Sequence, residues 1–387
     1  MDGGEDRGDG DPGSAAGLRA RLTAPGPKRI LSLDGGGIRG TLTIAYLERL
    51  EEVLRARHGR PDLVLSDYFD LIGGTSTGSI VAAGLATGRP VAEVRDAYFE
   101  LGPAVFARRA GLRDLLAARY SEEVLERELE VGFGNTRLGD PEVRTGLCIV
   151  AKRADTWSVW PLHNHPDGVY GAENAQVRIR DATRASTAAP TFFRPVGIEL
   201  ADGQQAAFID GAVSTAVNPS VQLLLVATAA GYGFRWPTGE DQLLLVSVGT
   251  GAWEVDRTPG QVLDSKMWSW AGEVPAMLMN DSNDLNQLLM QFIGRSPTAR
   301  SIDSEIGDLA GEYLGGRPLL TYLRYDLALE AAELEALGRP DLADQIPRLR
   351  RMDRGDNARP LYELGRLAAQ RDLLDAHLPR GFDLTAG

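Results

Sequence analysis

Apolar and polar positions near the start of the chain predict two consecutive strand–turn–helix units. The apolar run Arg29–Leu33 leads into three glycines, and residues 41–57 then place apolar side chains at helical spacing with charges opposite. Directly afterwards, YFDLIGG predicts a strand, TST a turn, and GSIVAAGLATG a helix of small residues that ends at Gly88. This alternation is typical of an α/β fold.

The later pattern keeps this fold class and adds a helical end. GLCIVAKR and TWSVWPLH predict neighbouring strands, AAFIDGA a strand that ends in a glycine turn, and QLLLVSVGTG a strand buried in a parallel sheet. Further helices are predicted at 91–101, 121–131, 176–188 and from Pro219 onward. Because the pattern beyond residue 260 is mostly helical, we expect one α/β domain with a helical C-terminal part.

Composition limits the classes of partner. The net charge of −13 disfavours a nucleic-acid polymer, because its phosphates require a basic surface. The only cysteine, Cys148, lies in an apolar run, so a buried thiol is expected and an intrachain disulfide is excluded. Residues 1–27 are rich in Gly and Asp, lack an apolar signal segment and predict a disordered tail. No apolar run is long enough to span a bilayer, and a cytoplasmic location is the simplest expectation.

A serine in the second glycine turn is a candidate nucleophile. Gly74–Gly78 matches the G-x-S-x-G pattern and lies between a predicted strand and a predicted helix, which is the context of a nucleophile elbow. In such an elbow, small neighbours permit a strained backbone, and the start of the helix stabilises negative charge near the serine. The alternative is an ordinary turn between a strand and a helix.

A nucleophilic serine needs a base, and the sequence offers a carboxylate rather than a histidine. His163, His165 and His377 do not follow a predicted strand at a glycine turn, where catalytic residues of α/β sheets gather. His163 and His165 are also a weak metal-ligand set, because two histidines alone are too few ligands to hold a metal ion. Asp210 does end a strand, in FIDGA, and a carboxylate within reach of a hydroxyl can accept its proton.

The first glycine turn has two interpretations. Gly35–Gly40 satisfies G-x-G-x-x-G, which binds a dinucleotide pyrophosphate when an acidic residue ends the next strand. Asp62 lies at about the right distance but precedes its apolar run, so that interpretation lacks its confirming residue. The glycines can instead present bare backbone amides to a developing oxyanion, with Arg39 adding positive charge or pairing with an acid.

Four motifs in this order resemble those of patatin-like phospholipases: Asp34–Gly40, Gly74–Gly78, Ala185–Pro190 and Asp210–Ala212. The resemblance runs over about residues 28–325, which implies a patatin-like domain there and leaves 326–387 as a helical extension. It implies a mainly parallel central sheet flanked by helices, and hydrolysis of acyl esters of lipids without a metal or other cofactor. The base motif ends in Ala212 where glycine is common, and both residues occur in the family.

The resemblance also implies roles for individual residues. Ser76 is the expected nucleophile and Asp210 its base, in a dyad without histidine. The expected oxyanion hole is formed by Gly35, Gly36, Gly37 and Thr77. The remaining positions that support the motifs are Asp34, Arg39, Gly40, Gly74, Gly78 and Gly211.

Partners follow from the same resemblance. A membrane phospholipid or another acyl lipid is the expected substrate, with peripheral contact to the membrane. The resemblance fits the bacterial subset nearer to plant patatins, some of which are antiphage effectors activated by a cyclic nucleotide; a small-molecule activator is thus a further expectation. Residues 264–293 hold Met267, Trp268, Trp270, Met277, Met279 and Met290, and we expect this segment to pack into the core rather than to contact lipid.

Two other functions remain open at this point. A nucleotide-binding module would use GGGIRG and keep its function without Ser76. A non-catalytic interaction protein on the same scaffold would not react with a serine-directed phosphonate. The sequence carries no signal for the lipid head group, the position of the cleaved ester, the acyl length or the oligomeric state.

Overall fold

A computed structural model describes residues 15–105, 122–199, 203–255, 257–266 and 270–385. The strands are β1 Lys28–Leu33, β2 Leu71–Thr75, β3 Gly146–Arg153, β4 Ser158–His163, β5 Val196–Glu199, β6 Gln205–Asp210, β7 Leu243–Val248 and β8 Thr321–Tyr325. The helices are α1 Ala15–Thr23, α2 Gly40–His58, α3 Leu65–Tyr68, α4 Thr77–Ala86, α5 Val91–Val105, α6 Glu122–Phe133, α7 Gly171–Gln176, α8 Ile179–Ser186, α9 Ser220–Thr228, α10 Pro259–Leu263, α11 Trp270–Ile293, α12 Ala331–Ala336, α13 Ile346–Leu349 and α14 Ala358–Asp372.

One central sheet, flanked by helices, organises the described part of the chain. Its strand order is β5-β6-β3-β2-β1-β7-β8, and β4 pairs with β3. Strands β3, β2, β1, β7 and β8 run parallel, whereas β4, β5 and β6 pair antiparallel. The prediction of a mainly parallel sheet between helices is confirmed.

Strand β8 was not expected, because the region beyond residue 260 is mostly helical in pattern. TYLRY is short, and its arginine interrupts the apolar run, so no periodicity marks it as a strand. It joins the sheet because it pairs in register with β7, from Leu244 opposite Thr321 to Val248 opposite Tyr325.

The register on β3 brings the ends of two distant strands together. β2 pairs in parallel with the first part of β3, and its last pair is Thr75 with Val150. β6 pairs antiparallel with the following residues of β3, and its last residue, Asp210, pairs with Ala151. Strand β4 pairs along the opposite edge of β3. Strands β2 and β6 therefore share the remaining edge of β3 and meet there end to end.

The C-terminal helices belong to the main core. The longest of them, α14, packs along α2, where Gly365 lies against Leu42 and Ala45. Its residues Leu361 and Leu364 are fully buried in the same cluster as the helices on that side of the sheet. The region after residue 325 is thus helical as expected, but it is packed into the body of the protein.

The predicted disordered tail is wrong for residues 15–23, which form α1; residues 1–14 lie outside the described residues. Leu22 is fully buried in the second core cluster, and its carbonyl accepts a hydrogen bond from the Trp236 indole at 2.8 Å. The Arg21 side chain donates to the carbonyl of Phe69 at 3.0 Å. Because α1 has no amphipathic pattern of its own, these tertiary contacts hold it in place.

Candidate active site

Ser76 lies in a strained turn between β2 and α4. Its backbone has φ 54° and ψ −130°, a left-handed conformation that is costly for a residue with a side chain. Small neighbours make the turn feasible, since a Cβ on Gly74 would overlap the carbonyl of Gly78. Likewise, a Cβ on Gly78 would lie 2.5 Å from the carbonyl oxygens of Leu33 and Asp34. This is the backbone geometry of a nucleophile elbow.

The Ser76 hydroxyl donates to the Asp210 carboxylate, with 2.6 Å between Oγ and Oδ2. The second oxygen, Oδ1, accepts the Ala212 amide at 2.8 Å, which orients the carboxylate. Burial raises the pKa of Asp210 to about 6, against the opposing effect of the two hydrogen bonds. A buried carboxylate of this basicity is suited to accept a proton from the hydroxyl near neutral pH.

The motif Ala185–Pro190, to which the sequence assigned no role, bridges these two residues. Ser186 Oγ accepts the Ser76 amide at 2.9 Å and donates to the carbonyl of Val150 at 2.6 Å. Two residues further on, the carbonyl of Ala188 accepts the Asp210 amide at 3.0 Å. The motif thereby ties the backbones of Ser76 and Asp210 to one segment.

The glycine loop after β1 lies directly over Ser76. A Cβ on Gly35 would lie 3.1 Å from Ser76 Cβ and 3.6 Å from Ala212 Cβ, so only glycine allows this approach without displacement. The Gly35 amide, however, donates to the carbonyl of Val217 at 2.9 Å. Of the predicted oxyanion donors, Gly35 is thus already engaged in a backbone hydrogen bond.

The other predicted donors lie in the same loop and at the start of α4. The Gly36 amide makes a long contact of 3.4 Å to Thr77 Oγ1. Gly37 has φ 58°, and its carbonyl accepts the Tyr98 hydroxyl. Thr77 is the first residue of α4, and amides in the first turn of a helix have no partner within it.

The remaining motif glycines allow close packing. A Cβ on Gly40 would lie 2.5 Å from the Tyr98 hydroxyl oxygen, and one on Gly211 would overlap the carbonyl of Val150. Arg39 is buried, donates to the carbonyl of Gly251 at 3.3 Å and lies over the ring of Trp253.

No histidine hydrogen-bonds to Ser76 among the described residues. His163 and His165 lie in an aromatic cluster with Tyr232 and Phe234, and burial lowers the pKa of His163 to about 4. His377 contacts the hydroxyl of Tyr325. Asp62, the acid that a dinucleotide site would need, has a side chain 78% exposed in the turn after α2.

Known proteins are similar to this chain in sequence. The family model for patatin-like phospholipase matches residues 31–221. The chain is 31% identical to a cGAMP-activated phospholipase of Escherichia coli (strain TW11681), over 62% of this chain and 67% of that protein. It is 30% identical to Patatin-17 of Solanum cardiophyllum, over 59% of this chain and 62% of that protein.

The chain belongs to the patatin-like phospholipase family. This membership indicates a lipid acyl hydrolase. The matched region spans 58% of Patatin-like protein 1 of Arabidopsis thaliana, which is 34% identical over 58% of this chain. Among solved structures, VipD of Legionella pneumophila is similar over 84% of this chain and 67% of that one, at 13% identity and a TM-score of 0.33.

A buried ion-pair cluster supports the glycine loop from outside the region that the patatin-like family model matches. Arg324 on β8 donates from Nη1 to Asp34 Oδ1 at 3.0 Å and from Nη2 to Asp34 Oδ2 at 2.7 Å. It also contacts Asp326 at 2.7 Å, and Asp326 accepts the Gly251 amide. The side chains of Arg324 and Asp34 are 4% and 7% exposed. The sequence analysis did not identify Arg324. The signal available in the sequence was an arginine and an aspartate on either side of Tyr325 in an otherwise apolar run.

The raised pKa of Asp210 predicts a stability cost. Since the folded pKa of about 6 lies above the ordinary 3.8, folding favours the protonated carboxyl. The stability that this group provides is complete below pH 4 and is lost as the pH rises through 6. We therefore expect Asp210→Asn to raise the free energy of unfolding at pH 8 by up to about 3 kcal/mol, with a smaller gain near pH 4.5.

Urea denaturation of both proteins at these two pH values measures the difference. Asp62→Asn, which changes an exposed carboxylate, should leave stability within about 0.5 kcal/mol. An Asp210→Asn protein that is less stable than wild type at pH 8 contradicts the expectation.

Proposed function

We propose that this protein hydrolyses acyl esters of lipids through Ser76 and Asp210, with a covalent acyl-enzyme. The observation that carries the proposal is the 2.6 Å hydrogen bond from the elbow serine to a buried carboxylate. Family membership supports the substrate class. The proposed reaction needs no metal or other cofactor, because the dyad supplies both the nucleophile and the base.

The first half of the reaction forms the acyl-enzyme. Asp210 accepts the Ser76 proton while Oγ attacks the ester carbonyl carbon, and the carbonyl oxygen becomes an oxyanion. The C–O bond to the alcohol or lysophospholipid then breaks, and Asp210 returns its proton to the departing oxygen. Ser76 is left esterified to the fatty acyl group.

The second half releases the fatty acid. Water loses a proton to Asp210 and attacks the acyl carbon, which forms a second oxyanion. The bond to Ser76 Oγ breaks, and the proton on Asp210 returns to the serine.

The oxyanion donors in this proposal are the amides of Gly36, Gly37 and Thr77. Gly35 is left out because its amide donates to Val217, and its role is to let the loop approach Ser76. A helix start adds favourable electrostatics near Thr77. Donors of this kind each contribute roughly 3 to 4 kcal/mol to lowering the barrier.

A small-molecule activator is a further part of the proposal. The name of the E. coli relative states that cGAMP activates that protein. In this chain Ser76 is 8% exposed and Asp210 is 2% exposed, so the dyad offers little open surface to an acyl ester. Activity assays therefore include arms with and without cGAMP.

Loss of either dyad residue should abolish hydrolysis. We expect Ser76→Ala and Asp210→Ala to lower the turnover of p-nitrophenyl butyrate and fatty-acid release from phosphatidylcholine vesicles by at least about 10³-fold. Ser301→Ala, an exposed serine elsewhere, is the matched control and should keep wild-type rates.

Two results would favour the other functions. Full activity in Ser76→Ala together with saturable NAD binding would support a nucleotide-binding module. A wild-type protein that neither cleaves the soluble ester nor reacts with a phosphonate, with or without cGAMP, would support a non-catalytic interaction protein.

The pH dependence of activity should report Asp210. Because the base must be ionised, kcat/KM for the soluble ester should fall about tenfold per pH unit below the raised pKa of about 6. Asp34 is the other buried acid near the loop, and burial raises its pKa to about 6 as well, against the opposing effect of Arg324. Because Asp210 and not Asp34 is the proposed base, the fall in kcat/KM at acidic pH should persist in Asp34→Asn. A fall that disappears in this variant would assign the titration to Asp34 instead.

Arg324 should act as a positioning residue for the glycine loop. Arg324→Lys keeps the charge but cannot bind both oxygens of Asp34, so the loop amides should move relative to the oxyanion. We expect kcat for the soluble ester to fall roughly 10- to 100-fold with little change in KM, since a misplacement of about 1 Å can cost that much.

The matched control is Arg29→Lys. Arg29 forms a largely buried ion pair with Asp70 at the opposite end of β1, with side chains 14% and 5% exposed. This variant should lose stability but keep kcat. Equal losses of kcat in the two variants would show that Arg324 has only a structural role.

A further inference from the structure

Helix α11 buries polar side chains and exposes apolar ones, which is the reverse of the usual distribution. The middle and end of α11 bury polar side chains, with Ser282, Asn286, Gln287 and Gln291 each 7% exposed or less. Its first turns instead expose an unbroken apolar run, 274–278, which we call the apolar tip. Within it Val274, Met277 and Leu278 are 43%, 46% and 63% exposed. The expectation that segment 264–293 packs into the core holds for Met290 and is wrong for the tip; Met267 and Trp268 lie outside the described residues.

The buried polar side of α11 attaches the helix to the segment that carries the candidate base. Asn286 Nδ2 donates to the carbonyl of Thr215 at 2.8 Å, and Ser282 Oγ donates to the carbonyl of Ser214 at 3.3 Å. Both carbonyls lie within a few residues of Asp210. Leu278 precedes Ser282 by one turn, a rise of about 6 Å. The tip therefore begins about one turn from residues that contact the segment after Asp210, and Val213 in that segment is also 48% exposed.

A second contact holds the start of α11 in place. Arg257 forms an ion pair with Glu273 at 2.6 Å and donates to Ser265 Oγ at 2.7 Å. Leu263, at the end of α10, is 84% exposed on the segment that this arginine ties to α11. Exposed apolar runs of this length normally mark an interaction site.

Charge favours one kind of partner. Helix α11 contains Glu273, Asp281 and Asp284 but no lysine or arginine. Glu273 and Asp284 are already paired, with Arg257 and Arg300. Without a cation, the helix has no group to bind anionic head groups, and the chain has a net charge of −13.

We propose that the apolar tip inserts into a zwitterionic lipid surface and thereby places the Ser76–Asp210 site at that surface. This inference rests on the proposed function, since a lipid substrate is what makes a lipid surface the partner. Leucine, methionine and valine side chains on a helix can enter the boundary between head groups and acyl chains without spanning the bilayer. Within the described residues, no helix has the length and apolarity required to cross a membrane.

The experiment measures flotation of the full chain with dioleoyl-phosphatidylcholine vesicles. A Ser76→Ala background prevents hydrolysis of the vesicles during the measurement. We expect Met277→Glu/Leu278→Glu to weaken binding at least tenfold. Val131→Glu/Trp157→Glu adds the same two charges at positions 75% and 83% exposed elsewhere and should bind as the parent does. Leu278→Ser serves as a milder second variant, expected to weaken binding less than the double change.

Several outcomes would overturn the proposal. The first is that the tip variants and the parent bind the vesicles equally well, and the second is that the parent does not bind them. The third is that the parent binds phosphatidylglycerol vesicles and the tip substitutions do not weaken that binding. Sedimentation that finds a dimer in the parent and a monomer in the tip variant would assign the tip to a second copy of the chain.

A soluble ester separates this proposal from the proposed function. With Ser76 present, Met277→Glu/Leu278→Glu should cleave p-nitrophenyl butyrate at the wild-type rate, because the tip lies outside the dyad. If no protein cleaves that ester, the proposed function fails, and the flotation result still decides whether the tip binds lipid.

Discussion

The register of β3 is the constraint on which the candidate site depends. Val150 is the last partner of β2 and Ala151 is the last partner of β6, so two strands from distant parts of the chain end at adjacent positions. One end leads into Ser76 and the other is Asp210 itself. A shift of one strand by a single residue would turn its side chains to the opposite face and separate the two groups.

The loop over Ser76 is supported from three directions. Arg324 holds Asp34 from the sheet edge, Tyr98 on α5 donates to the carbonyl of Gly37, and the carbonyl of Met352 accepts the Ile38 amide at 2.9 Å. Two of these supports come from the region beyond residue 221, where the family match ends. The C-terminal part of the chain is thus integral to the candidate site, because glycines have no side chains with which to fix their own conformation.

The site also contains groups that are costly to fold. Ser76 adopts a strained backbone, and Asp210 is a carboxylate buried without a cationic partner among the described residues. The reversed polarity of α11 adds exposed apolar surface nearby. Each of these lowers stability while being useful in a lipid hydrolase: strain presents the serine, burial makes the carboxylate basic, and apolar surface suits contact with lipid.

The sequence by itself determined the fold class, the two glycine turns and the residue types at their ends, because strands, tight turns and helices follow from local spacing and from glycine. It also predicted Ser76 and Asp210 together, since each follows an apolar strand at a glycine turn. Only the tertiary structure decided what α1, β8 and Arg324 contact, that Gly35 is engaged by Val217, and which side of α11 faces outward. These depend on pairing and burial between residues far apart in the chain, which no local periodicity encodes.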